Sequence, residues 1–136
     1  MVIMSVDYGD SRTGLAVCDK SEFLASPVGV IFEKYEPKVV AAVCEKAIEC
    51  KAELLVVGLT RNMDGSYGDR AEKCKAFAEL LKAETGLDVA LWDERLTTVS
   101  AHRALNEVNV RGKKRKNVVD AVAAVMILED FIKSRK

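Results

Sequence analysis

The segment Asn117–Leu128 reads Asn-Val-Val-Asp-Ala-Val-Ala-Ala-Val-Met-Ile-Leu, and Asp120 is its only charged residue. An apolar run of this length demands cover on its hydrophobic side, so the chain must supply a sheet or further helices to bury it. A carboxylate stranded in such a run is costly unless something compensates it. Two other apolar runs also end in acids: Val2–Val6 is closed by Asp7, and Val89–Trp92 by Asp93 and Glu94. Three acidic points, far apart in sequence and each on a core element, suggest one convergent site. Carboxylates brought together repel, and a hard divalent cation is the usual remedy. The pattern points to Mg²⁺- or Mn²⁺-dependent phosphoryl chemistry.

The 136 residues suit one domain spanning 1–136 with a real core. A composition of 49% apolar and 31% charged residues is that of a globular protein. No apolar run reaches the roughly 18 residues of a membrane span. The start lacks the pattern of an export signal, so a cytoplasmic protein is expected. Cys18, Cys44, Cys50 and Cys74 form no Cys-x-x-Cys pair and His102 is the single histidine. This excludes a conventional zinc site and favours reduced, structural thiols.

Formal net charge is +0, so no global field marks a nucleic-acid binder. The distribution is more telling. Between residues 95 and 116 stand Arg95, Arg103, Arg111, Lys113, Lys114, Arg115 and Lys116, against one acid, Glu107. Lying between two of the acidic points, Arg111–Lys116 reads as a phosphate-binding loop, with a solvated connector as the alternative.

The apolar patterning predicts strands over Val2–Val6, Thr13–Cys18 and Val28–Phe32, joined tightly as an antiparallel meander. Pro37 then opens a helix whose apolar face carries Val40, Val43, Cys44 and Ala47. Leu54–Val57 is a strand ending at Gly58, and residues 60–68 a loop. A helix over Asp69–Glu84 turns Cys74, Phe77, Ala78 and Leu81 inward and stops at Gly86. Val89–Trp92 is the fifth strand, a short helix follows from Thr97 or Thr98 to about Asn106, and the last helix starts near Asn117. The order βββ-α-β-α-β-α-α implies an α/β fold: a mixed five-stranded sheet with helices on both faces.

Four motifs carry chemistry. In Asp7-Tyr8-Gly9-Asp10-Ser11-Arg12-Thr13-Gly14, Asp7 projects where ligands gather in α/β folds, Gly9 turns the chain, Gly14 tolerates close approach, and Arg12 suits a phosphate. In Asp93-Glu94-Arg95-Leu96-Thr97-Thr98, adjacent carboxylates in extended chain point opposite ways, so one of the two enters the site. Asp120 is the third. The fourth is Gly58–Gly65, where Arg61 and Asn62 could contact phosphate or base, while Asp64 before Gly65 is an ordinary turn. Each has a structural alternative: a capped hairpin, acids at a helix N-terminus, or a solvent-facing first turn.

Together these residues resemble the YqgF family, also called RuvX and associated with pre-16S rRNA nuclease activity, within the ribonuclease H-like superfamily. The resemblance rests on Asp7, Gly9, Arg12 and Gly14; on Gly58–Gly65, where Thr60 stands in place of the usual proline; on the complete Asp93–Thr98 motif; and on Asp120 with Ala123, Ala124, Ile127 and Leu128. It covers essentially the whole chain. It implies a ribonuclease H-like sheet of order 3-2-1-4-5 and a metal-dependent nuclease with Asp7, Glu94 and Asp120 as catalytic, metal-holding carboxylates, Asp93 being the fallback for Glu94. Arg12, Arg61, Asn62, Arg95, Lys113, Lys114, Arg115 and Lys116 would bind substrate. The implied substrate is precursor rRNA near the 5′ end of 16S rRNA, within or beside a pre-ribosomal particle. The competing readings are a dimeric Holliday-junction resolvase acting on branched DNA, a non-catalytic RNA-binding module, and, more remotely, a phosphotransferase related to actin-like ATPases and sugar kinases, which need two such domains.

Overall fold

The computed structural model describes residues 1–9, 12–59, 68–93 and 113–135. Five strands form one sheet: β1 (Ile3–Tyr8), β2 (Arg12–Cys18), β3 (Ala25–Phe32), β4 (Leu54–Leu59) and β5 (Asp88–Asp93). Their order is β3-β2-β1-β4-β5. The β1–β2 and β2–β3 pairs are antiparallel, and the β1–β4 and β4–β5 pairs are parallel. Helix α1 (Glu36–Cys50) links β3 to β4, α2 (Gly68–Thr85) lies between β4 and β5, and α3 (Lys113–Ser134) closes the chain. The mixed sheet and its order are as expected. The short helix expected after Thr97 lies outside the described residues.

Alternation along the strands divides the core in two. Met4, Val6, Leu15, Leu55 and Val57 pack with Val39, Val40, Val43 and Ala47 of α1 and Cys74, Phe77, Ala78 and Leu81 of α2. Ile3, Ala16, Cys18 and Val56 pack on the other face against Ala123, Ala124, Ile127, Leu128 and Ile132 of α3. Helices therefore cover both faces, and the apolar stripes expected for α1 and α2 are the ones that are buried. Tyr8 stacks on Phe77 with ring centroids 3.9 Å apart. Gly86, with φ +72°, follows α2 in the left-handed conformation that glycine adopts cheaply.

Three differences from the sequence reading bear on the site. Strand β1 runs through Asp7 to Tyr8, because Asp7 and Tyr8 still pair with Gly14 and Thr13 of β2. Strand β3 begins at Ala25, since Cys18, Val17 and Ala16 find partners in Ala25, Ser26 and Pro27. Helix α3 begins at Lys113, so Lys113–Lys116 form its first turn and not part of a loop. Lysine and arginine are good helix formers, and their charge does not by itself mark a loop.

All four cysteines are free. Burial is the largest influence raising the Cys18 and Cys44 thiols above the ordinary value, so both favour the unreactive protonated form.

The β1–β2 hairpin depends on Gly9. A Cβ there would run into the Arg12 carbonyl oxygen. Gly9→Ala is therefore expected to destabilise the protein by about 1–3 kcal/mol, the usual range when a backbone must shift. A thermal melt several degrees below wild type is the check; an unchanged melt would show that the turn can relax freely.

Candidate active site

Asp7 is 5% exposed. Its parity along β1 is that of Ile3 and Ser5, which face α3. On the same face, β2 presents Gly14 opposite Asp7, with Val30 of β3 beyond it. On the other side, the parallel register Val6–Val57 continues one step to bring Gly58 of β4 beside Asp7, with Trp92 of β5 opposite Gly58. The row thus reads Val30, Gly14, Asp7, Gly58, Trp92. A glycine stands on each side of the carboxylate, so neither adjacent strand adds a side chain beside it. The sequence reading gave Gly14 as a point of close approach and Gly58 as the end of a strand; their shared row with Asp7 emerges only from the register.

Helix α3 is tied to this face by Ser5, whose hydroxyl donates to the Ala124 carbonyl oxygen at 2.6 Å. The helix runs antiparallel to β1. At its far end, Arg135 Nε donates to Glu22 Oε1 at 3.0 Å, and Glu22 also holds the N-terminal ammonium beside the start of β1. Going from Ser5 to Asp7 climbs the strand by about 7 Å. Going back from Ala124 to position 120 climbs the helix by one turn, about 6 Å. Positions 7 and 120 therefore stand at matching heights on facing elements. Ser5 was missed in the sequence reading. Its signal was present: it is the sole polar residue within Val2–Val6 and has the parity of Asp7.

The same end of the sheet receives the other candidates that the structure describes. Strands β1, β4 and β5 end there, β2 begins there, and α1, α2 and α3 all start there. Arg12, half-buried, opens β2 two residues before Gly14 and on the face of Asp7. Lys113, Lys114, Arg115 and Lys116 occupy the first turn of α3. Arg61, Asn62, Glu94 and Arg95 lie outside the described residues; Glu94 directly follows Asp93, the last residue of β5. Since β4 intervenes between β1 and β5, the two strand ends are about 10 Å apart.

Among the described residues no group of three potential metal ligands occurs together. What they supply is one buried carboxylate with a glycine on either side, and carboxylate oxygen is the donor class that Mg²⁺ and Mn²⁺ take. The residue fits such a cation in kind. Among the described residues no helix is long and apolar enough to cross a membrane.

Comparison with known proteins accords with this geometry. The family model described as "RuvX: Holliday junction resolvase" matches residues 1–134. A protein from Clostridium novyi is 39% identical over 134 residues, covering 98% of this chain and 99% of its own. The chain belongs to the RuvX family. A RuvX relative from Listeria monocytogenes is 44% identical over 134 residues, covering 97% of each chain. Both relatives carry the name "Putative pre-16S rRNA nuclease". Among solved structures, Thermus thermophilus RuvC in complex with a Holliday junction substrate is similar with a TM-score of 0.59 at 15% identity, covering 99% of this chain and 96% of that one. The fowlpox virus Holliday junction resolvase matches with a TM-score of 0.57 at 11% identity, covering 98% and 99%. These likenesses establish the ribonuclease H-like fold of this RuvX member, and the family makes it a nuclease.

Proposed function

We propose that this protein is a divalent-metal-dependent phosphodiesterase acting on precursor 16S rRNA, with Asp7, Glu94 and Asp120 as its catalytic carboxylates. The observation that carries the reading is the burial of Asp7 on the α3 face, at the height of position 120 and between two glycines. Carboxylate oxygen at such a position is the donor class that a divalent cation takes. Glu94 is preferred to Asp93 on register. Position 93 has the parity of Val89 and Leu91, which line a groove against α2 on the opposite side of the sheet. By the same alternation the following residue, Glu94, is the one suited to the face of Asp7.

Asp7, Glu94 and Asp120 would hold Mg²⁺ or Mn²⁺, which when bound lowers the pKa of a water and neutralises charge on the leaving oxygen. The chain's own basic residues bind and orient. Arg12 at the hairpin grips phosphate beside Asp7, and Lys113–Lys116 take the backbone as it crosses the start of α3. Arg61, Asn62 and Arg95, on the connections leaving β4 and β5, extend that contact. The substrate assignment draws on the curated names of the relatives. The description of the matching family model favours a second reading, resolution of branched DNA, which needs two symmetric cuts and hence a dimer.

The deciding experiment offers one preparation a precursor 16S rRNA 5′ fragment, single-stranded DNA and a four-way junction, with Mg²⁺, with Mn²⁺ and with EDTA. Metal-dependent cutting of the RNA is expected. Cutting of the junction alone would transfer the assignment to a resolvase. Binding without turnover on any substrate would make the protein a non-catalytic RNA-binding module.

A further inference from the structure

The corner where β3 passes into α1 holds a set of residues that the catalytic proposal does not use. Phe32 is the last residue of β3 and pairs with Arg12 of β2. Two residues earlier, Val30 pairs with Gly14. Phe32 therefore lies on the face of Asp7, one step further toward the end of the sheet where the candidate site sits. It is 61% exposed. The chain continues through Lys34, Tyr35 and Lys38, all exposed, Tyr35 also at 61%. Among the described residues the exposed aromatic side chains are Phe23, Phe32 and Tyr35. Two of these three occupy this corner, and Phe23 lies at the opposite end of the sheet.

The acids of the same stretch hydrogen-bond to the chain itself. Glu33 Oε1 accepts the backbone N–H groups of Lys34 and Tyr35, each at 3.1 Å. Glu36 Oε2 accepts the Tyr8 hydroxyl at 3.0 Å. The carboxylates are thus engaged with the protein itself, while the rings and ammonium groups remain presented to solvent. Isolated surface apolar residues are ordinary. Two rings interleaved with Lys34 and Lys38, beside an arginine at the mouth of a nuclease site, are the arrangement that binds unpaired nucleic acid: bases stack on the rings and cations follow the phosphates.

We propose that Phe32 and Tyr35 form a stacking platform for unpaired bases flanking the cleaved bond, with Arg12, Lys34 and Lys38 holding the adjoining phosphates. The ligand class is single-stranded nucleic acid. The proposal rests on the nuclease reading above and deepens it, because it makes this corner the part of the protein that separates single strands from duplex. Phe32 lies two strand spacings across and one two-residue step along from Asp7, about 12 Å between Cα atoms. The platform therefore engages nucleotides beside the reacting phosphate. A paired base offers no free face to a ring, whereas a splayed one does.

The test measures binding in EDTA, so that cleavage does not intrude, using a labelled single-stranded RNA and a blunt duplex of the same sequence. Phe32→Ala and Tyr35→Ala are each expected to weaken single-strand binding about 5- to 100-fold, with less than about a twofold change on the duplex. Phe32→Leu, which keeps apolar bulk without a π-face, should lose nearly as much, and Phe32→Trp should retain affinity. The added indole of Phe32→Trp should be quenched on saturation with single-stranded RNA. Unchanged single-strand affinity in both alanine variants would overturn the platform, as would equal losses on both ligands or an unquenched indole. In that case a wild-type protein that binds and cuts RNA would keep the nuclease reading. A wild-type protein that binds neither ligand would overturn both.

Discussion

Asp7→Asn is expected to reduce metal-dependent cleavage by about a thousandfold or more. Metal-ion stabilisation of a phosphodiester transition state is worth several kcal/mol, and each 1.36 kcal/mol is about tenfold in rate. The exchange removes a charge and almost no volume from a buried position, so the fold should be kept and the melting temperature should stay near that of wild type. Gly14 and Gly58, flanking Asp7 in its row, bring no carboxylate that could take over. Nucleic-acid affinity in EDTA should also persist, because the phosphate contacts proposed above are those of Arg12 and the basic residues. Turnover within about tenfold of wild type would sink the assignment of Asp7. Two companion variants separate the other acids. Glu94→Gln should inactivate while Asp93→Asn should not; the reverse result would place Asp93 in the site and refute the register argument. Asp120→Asn should lose turnover and melt no lower than wild type, since removing one of the three carboxylates proposed to share the site would relieve repulsion when metal is absent. A lower melt would make Asp120 structural.

Much of this architecture was legible before any coordinates. The faces of α1 and α2 follow from side chains spaced by the helical repeat, and Val40, Val43, Ala47, Cys74, Phe77, Ala78 and Leu81 are indeed buried. Gly86 was readable because the left-handed conformation costs glycine little. The extents of β1 and α3 were less legible. Asp7 and Tyr8 stay in the strand only because β2 returns to pair with them, which is not a local property of residues 2–8. At the site, the acids were visible as anomalies in apolar runs. Their geometry was not, because it depends on contacts between distant parts of the chain. The Ser5–Ala124 hydrogen bond joins residues 119 positions apart, and the Gly14–Asp7–Gly58 row requires the sheet order and two registers at once. Phe32 was read only as the last residue of a strand, with nothing to mark it as exposed. It is exposed at the last position of the edge strand β3.

Replacing Lys113, Lys114, Arg115 and Lys116 together with alanine should weaken binding to all nucleic acids and leave the fold at least as stable as wild type. The boundary of α3 sharpens this expectation. Were these residues in a loop, their charge would cost the fold nothing. In the first turn of α3, which contains no acidic residue, four cationic residues occupy the positive end of the helix dipole, where cations are disfavoured. Their presence opposes helix stability, and alanine is the best helix former. The quadruple variant is therefore expected to melt at or above the wild-type temperature. Binding should respond in the opposite sense. Each lost phosphate contact flattens the dependence of log affinity on log salt by about 0.7 for single strands and 0.9 for duplex. Four contacts would lower the slope by about 2.8 for single strands and about 3.6 for duplex, and affinity near physiological salt should fall at least about tenfold. The loss should be similar for different sequences, because phosphate contacts carry no base information. This distinguishes the variant from Phe32→Ala, which should spare the duplex. An unchanged salt slope would show that the start of α3 does not touch the backbone. The electrostatic contact would then fall to Arg12, Arg61 and Arg95, and the unfavourable charge at the head of α3 would need another partner.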